Sequence, residues 1–383
     1  MEGIKILDLS RLMPFEYCTL LLADMGAEVL KIEEPGRGDY MRWLPPKMRE
    51  ENAAFLLLNR NKKSMTLNLK KKEGQDILRK LVRDNDVLFE SYRPGVMSRM
   101  GLGYKELKEV NPKLIYCSAT GYGQSGPYKD RPGHDINYIS IAGILGVTGR
   151  HTGAPVIPGI PIADMSVGAF SALAILAALI AREKSGEGQF IDISMTDVAL
   201  SQNVINLAMH LAGGKEMMDL TGKEPYYNIY ETRDGKYVSL GNIEERFWEN
   251  FCEGVGRPDL IEHHSSKGKE KERVAKELRE VMLGKTRDEW VNQMKDKDVC
   301  IAPVYSIEEV LGDPHLIHRE MFAEVDHPVE GRIKQISFPI KFSNTPAEIR
   351  SPPPALGEHT SEILRKMGYD KKGLERLESD GVI

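Results

Sequence analysis

Cysteine is scarce: there are four in 383 residues, with no CxxC pair. That is too few, too scattered, for a disulfide framework or a zinc cluster, and reduced intracellular thiols are the reading left. Excess positive charge is missing too. Lys and Arg number 52 against 57 Asp and Glu, so nucleic acid is not an expected partner and a polyanionic ligand would need a local basic patch. The opening MEGIKILDLSRL has neither the charged n-region nor the apolar h-region of a secretory signal, and a cytoplasmic location is expected. A long hydrophobic run is also lacking. The most apolar stretch, Val167 to Ala181, is 15 residues and rich in alanine, too short for a comfortable membrane span, and is read as a buried core helix.

What is present is ordinary globular material, with 41% hydrophobic and 28% charged residues. The length suggests two structural units. The chain opens on a strand–helix–strand pattern: IKILDL at 4–9, an apolar-faced helix from Pro14 to Met25, and EVLKIE at 28–33. A helix over 74–83, strands at 86–91 and 113–120, a long helix at 165–183 and a strand at 189–195 continue the alternation. Such alternation predicts an α/β fold with an open, mostly parallel sheet. After residue 200 the pattern changes. A helix to His210 and a Gly-rich polar stretch, LAGGKEMMDLTGKEP, precede two alternating runs around Asp234-Gly235, a hairpin signal, and a charged helix at 268–282. From about 335 the chain is Pro-rich and returns to the first unit.

Phosphate-binding signals are mixed. Glu33 sits where a dinucleotide fold carries its ribose-binding acid, but the turn DLSRLMPFE has no glycine to cradle a pyrophosphate. GYGQSG at 121–126 follows a strand, yet PYKDRPGH follows it instead of the helix that a dinucleotide fingerprint requires. It reads as a glycine loop bordering a site. The run RNKKSMTLNLKKK places Arg60, Lys62, Lys63, Lys70, Lys71 and Lys72 together, either as a solvated face or as a phosphate site. Arg37 and Arg93 fall near strand ends, where ligands of open α/β sheets bind.

Candidate reactive groups are fewer. His134 and Asp135 follow a Pro-Gly turn, and Asp135 has the position of a cap for the helix beginning there. Asp164 opens the long apolar helix, where the dipole favours an ionised carboxylate with a lowered pKa, ready as base or nucleophile. Glu244 and Glu245 follow the strand VSLGN, and either is a plain surface carboxylate or an orienting partner for His134.

Taken in order, LLADMGAEVLKIEEPGRGD, LNRNKKSMTLNLK, YRPGVMSRMGLGY, SATGYGQSGPY, GHDINYISIAG, the helix after Asp164, GEGQFIDISM and LGEHTSEIL resemble the family III CoA-transferases, the CaiB/BaiF superfamily. Within it they most closely resemble the α-methylacyl-CoA racemase branch. The resemblance implies a Rossmann-like large domain from residues 1–200 and 330–383, a smaller α+β domain with its linker over 201–329, and an interlocked, ring-like homodimer. It implies an acyl-CoA substrate and no cofactor or metal beyond the coenzyme A carried by that substrate. Asp164 would be catalytic under either activity: an acyl and CoA carrier in transferases, one of two proton-transfer groups in racemases. His134 with Glu244 marks the racemase branch, so 1,1-proton transfer at the carbon next to the thioester is the expected reaction, with CoA transfer through Asp164 the alternative. Two faces of one carbon need two bases, and backbone N–H groups near Asp164 would steady the enolate. Arg37, Lys62 and Arg93 would hold CoA phosphates, and Asn59 and Arg60 would line the nucleotide end. One departure stands out: Phe15 and Glu16 replace the usual Gly-Pro of the first turn, which borders the pocket in the family, so an altered acyl preference is expected.

Overall fold

The opening alternation folds as a six-stranded, all-parallel sheet. In the computed structural model, which describes residues 1–149, 153–213 and 220–383, its strands are β1 (Lys5–Leu9), β2 (Glu28–Glu33), β3 (Lys62–Thr66), β4 (Val87–Glu90), β5 (Ile115–Thr120) and β6 (Phe190–Ser194). Their spatial order is β3-β2-β1-β4-β5-β6. Register is set by apolar positions such as Leu7, opposite Leu30 on one side and Leu88 on the other. Both faces of such a sheet are covered, so β4 and β5 are buried at every residue.

The helices that position the site are α1 (Met13–Asp24), α2 (Asp135–Ile141) and α3 (Ile162–Ser185). Helix α3 runs three residues further toward the N-terminus than the periodicity suggested. Val167, Gly168, Ser171, Ala172, Ile175, Ala178 and Leu179 form its buried face. A Cβ on Gly168 would lie 2.5 Å from the Pro14 carbonyl oxygen, so this glycine is what lets α1 and α3 pack closely. The expected core helix is buried on that face only: Leu173 and Ile180 are 61% and 60% exposed. By length and composition alone α3 would be able to cross a membrane.

The chain divides into two compact units, Met1–Ile144 with Pro158–Val204 and Ile317–Ile383, and Leu145–Ile157 with Ile205–Leu316. The first unit takes in the antiparallel pair β10 (Phe322–His327) and β11 (Gly331–Ile336), inside which the sequence boundary at 329–330 falls. The reason is long-range bonding that no local pattern encodes. Gln335 donates to the Leu56 carbonyl at 3.0 Å, and Glu330 accepts the amides of Arg49, Glu50 and Glu51 at 2.6 to 3.0 Å. The C-terminal helices place Leu364, Leu374 and Leu377 in the first unit's core.

The second unit has its own core, in which Trp248, Phe251, Leu260, Leu278 and Trp290 pack together. Its antiparallel sheet joins β7 (Tyr227–Glu231), β8 (Tyr237–Gly241) and β9 (Ile301–Val304) in that order. The hairpin turns at Gly235, whose φ of +71° suits glycine. The charged helix spans Gly268–Met282 and buries Val274, Leu278 and Met282. Residues 214–219 of the Gly-rich polar stretch lie outside the described residues.

Candidate active site

The strand order reverses between β1 and β4, and in open parallel sheets ligands bind at the carboxyl ends of strands beside such a reversal. Here the two loops at that point are tied together, the Arg11 amide donating to the Ser91 hydroxyl at 3.1 Å. Arg11 also lies over the Tyr92 ring, 5.3 Å from its centre. Arg93, the next residue, is exposed, as is Arg37 in the loop after β2.

The first turn needs no glycine because Leu12 itself adopts a left-handed backbone, with φ of 70°. A branched residue there costs about 1–3 kcal/mol, and the conformation is held by Asp39, which accepts the Leu12 amide at 3.1 and 3.3 Å. Asp39 is in turn bonded by the Lys31 ammonium at 3.0 Å. Glu33 does not face a ribose. Arg42 binds both its oxygens, at 2.7 and 2.8 Å, and the Ser64 hydroxyl donates at 2.6 Å.

Asp164 stands in the first turn of α3, half-buried. Its carboxyl is pushed up to about 7, by burial first and by the Asp135 charge second. The sequence had pointed the other way, to a pKa lowered by free helix amides. Those amides are already occupied: Asp135 Oδ1 accepts from Ala163 N at 2.6 Å and Asp164 N at 3.2 Å, and Met165 N donates to the Pro161 carbonyl at 3.0 Å. For the same reason these three amides are not available as oxyanion donors. Asp135 therefore does cap a helix, but it is α3, 28 residues away, and not the one it begins.

His134 is the residue before α2 and is exposed. Its amide donates to Asn137 Oδ1 at 3.0 Å, while Asn137 N donates back to the His134 carbonyl at 2.8 Å. The turn leading to it is shaped by Tyr138. A Cβ on Gly121 or on Gly133 would come within 2.5 or 2.8 Å of the Tyr138 ring, so a side chain at either position would have to displace that ring. The Tyr138 hydroxyl donates to the Gly133 carbonyl at 2.6 Å. Burial first, and then the charges of Tyr122, Asp164 and Asp135, push that hydroxyl up to about 12, with Arg93 opposing them. His134, Asp135, Tyr138, Asp164 and Arg93 thus occupy one neighbourhood of the first unit. Glu244 precedes the helix Glu245–Gly254 in the second unit and is exposed.

The glycine loop is anchored to the sheet on its other side. Gln124 donates through Nε2 to the Ser118 hydroxyl at 2.8 Å and through its amide to the Asp192 carboxylate at 3.1 Å. At the end of β4, opposite Ser118 of β5, burial pushes Glu90 up to about 7, against the Ser118 hydroxyl and the Tyr92 amide. Tyr138 and Glu90 were missed by sequence reasoning. The i, i+4 spacing from His134 was the one available signal for Tyr138; Glu90 reads as an ordinary strand-end acid.

Three expected nucleotide contacts are engaged elsewhere. Arg60 binds Asp24 through Nε at 3.1 Å and Nη2 at 2.6 Å, and Gln335 through Nη1 at 2.9 Å. The Lys62 ammonium is fully buried, donating to the Glu16 carbonyl at 3.0 Å and to Asn59 Oδ1 at 2.9 Å, 3.7 Å from Asp8. Asn59 spends its own amide on the Phe55 carbonyl at 3.0 Å. The basic run thus splits: the inward residues neutralise buried carboxylates, while Lys63, Lys70 and Lys72 pair with surface acids.

Phe15 and Glu16 also point into the core, not into a pocket. Phe15 packs edge-on to Phe89, 6.2 Å between centres, and Glu16 lies 3.1 Å from Lys31 with neither group exposed.

This constellation has relatives along its whole length. Residues 1–360 match the model of CoA-transferase family III. The chain is 35% identical to human succinyl-CoA:glutarate CoA-transferase, over all of this chain and 90% of that one. It is 34% identical to human alpha-methylacyl-CoA racemase, over all of this chain and 97% of that one. The crystal structure of a CaiB/BaiF family protein from Brucella suis superposes with a TM-score of 0.83 at 30% identity, covering 96% of this chain and 98% of that one. A six-stranded parallel sheet with its candidate carboxylate on the long helix, matched over nearly the full length, makes this chain a member of CoA-transferase family III.

Proposed function

We propose that the protein moves coenzyme A between carboxylic acids through Asp164, the alternative reading of the sequence now preferred over proton transfer. The observation that carries it is Asp164 itself: a half-buried carboxylate on a rigid helix end, in a chain whose relatives include human succinyl-CoA:glutarate CoA-transferase. Ionised Asp164 attacks the thioester carbonyl and expels CoA as thiolate, forming an aspartyl–acyl anhydride. The thiolate then attacks the aspartyl carbonyl, releasing the first acid and leaving an aspartyl-CoA thioester. The incoming carboxylate and the same thiolate repeat these two displacements in reverse order, regenerating Asp164. Electrons balance without oxidation or reduction, so the scheme asks for no cofactor beyond the CoA of the substrate. Arg37 and Arg93, exposed at the carboxyl edge, are assigned to the CoA phosphates. The open face of α3 supports a homodimer, and the reduced, largely buried cysteines fit a cytoplasmic setting.

Proton transfer at the α-carbon is the second reading. It is favoured by the exposed His134 beside Asp135 and by an Asp164 that holds a proton near neutrality. One experiment separates the two. The protein is incubated in deuterated water with succinyl-CoA and glutarate, and separately with a 2-methylacyl-CoA. New glutaryl-CoA, abolished by Asp164→Asn and accompanied by a borohydride-trapped Asp164, supports transfer. Deuterium at the α-carbon, with no trapped Asp164 and no acyl exchange, overturns it.

A further inference from the structure

Asp135 has no role in the scheme above, yet it is the residue most intimately joined to Asp164. One of its oxygens takes two consecutive amides of the α3 first turn, Ala163 and Asp164. These are the amides that would otherwise stabilise an anion at the helix end. By filling that place with its own carboxylate, Asp135 turns an attractive helix terminus into a repulsive neighbour for Asp164. Asp135 is held in turn: it starts α2, the Gly133 carbonyl two residues earlier is bonded by the Tyr138 hydroxyl at 2.6 Å, and the Tyr138 ring fills the space beside Gly121 and Gly133.

We propose that Asp135 is the positioning residue of this active site, clamped by Tyr138, and that it sets both the orientation of Asp164 and the pH at which Asp164 becomes a nucleophile. The inference rests on Asp164 being the reacting group. Its consequence is a carboxylate that reacts only above the acid range in which an ordinary aspartate is already ionised. A nucleophile of higher proton affinity is also the stronger one once deprotonated.

The test uses three variants of the full chain. Asp135→Asn keeps an oxygen for both amides and removes the charge. Asp135→Ala removes both, and Tyr138→Phe keeps the ring and removes the clamp on Gly133. Two readouts are taken: the pH profile of CoA transfer, and infrared titration of the Asp164 carboxyl as wild type minus Asp164→Asn, which needs no turnover. In Asp135→Asn the Asp164 titration and the acid limb of kcat move together to lower pH, each unit of movement giving about tenfold more ionised Asp164 well below both limbs. Asp135→Ala lowers kcat across the profile with KM little changed, and Tyr138→Phe moves the limb in the same direction by less. An Asp164 titration unchanged in Asp135→Asn overturns the proposal, as does full kcat in Asp135→Ala. If transfer itself is absent from the wild type, the infrared titration still decides the role of Asp135, so the two failures are told apart.

Discussion

Arg60 separates a structural reading of the basic run from a ligand-binding one. Replacing it with methionine keeps much of the side-chain volume and deletes the charge. Asp24 then loses two hydrogen bonds and its counter-ion, keeping only the Asn61 amide at 2.8 Å, while Gln335 loses the Arg60 donor. Both partners of the pair are 2% exposed, so solvent neither screens the interaction nor rescues the abandoned carboxylate. Breaking a buried pair from one side costs about 3–5 kcal/mol, a large part of the stability of a typical domain. The assay pairs urea unfolding, followed by far-ultraviolet circular dichroism at fixed protein concentration, with calorimetric titration of CoA. Arg60→Met should lower the unfolding midpoint sharply while the folded fraction binds CoA as before. Arg37→Ala should do the reverse, since losing one charged phosphate contact costs roughly 1.5–3 kcal/mol, or about tenfold or more in affinity. A weakened CoA affinity in Arg60→Met at an unchanged unfolding midpoint would refute the structural assignment.

Two further perturbations probe the helix pair beside the site. The ammoniums of Lys31 and Lys62 face the carboxyls of Glu16, Asp8 and Asp39, and burial raises the pKa of Glu16 although Lys31 and Lys62 oppose it. A carboxyl raised in the folded state favours folding while protonated and loses that contribution as pH rises above its unfolded value. Glu16→Gln should therefore equal or exceed the wild type in stability at pH 8 and lose that advantage toward pH 5; thermal melts at the two pH values check the sign. Gly168→Ala sets a Cβ against the Pro14 carbonyl at 2.5 Å and should cost about 1–3 kcal/mol by overpacking, with transfer slowed because the helix bearing Asp164 shifts. Ordinary stability and rate in that variant would show that α1 and α3 part without consequence.

Legibility varied with the range of the interaction. Periodicity located five of the six strands of the parallel sheet and the helix bearing Asp164, because a strand buried on both faces and an alanine-rich helix leave strong local patterns; it missed β3, whose lysines read as a basic run. It placed Asp135 correctly at a helix start, but the amides that residue satisfies belong to a helix 28 positions later, a partner no local rule names. Similarly, RNKK reads as a basic surface until the fold brings Asp8, Asp24 and Glu16 to it from the first 24 residues. The Phe15-Glu16 departure was visible as unusual letters, whereas its direction, into the core beside Lys31, was not.

By itself, then, the amino-acid order determined the alternation, the family resemblance and the identity of the carboxylate on which the chemistry is proposed to turn. Those follow from side-chain periods and from residue types, which are properties of neighbours in the chain. Only the tertiary structure decided which charges are spent inside and which remain for a ligand, and that Asp164 lies near neutrality instead of in the acid range. A pKa depends on burial and on charges brought from distant parts of the chain, and Asp164 is raised by burial first and by the Asp135 charge second.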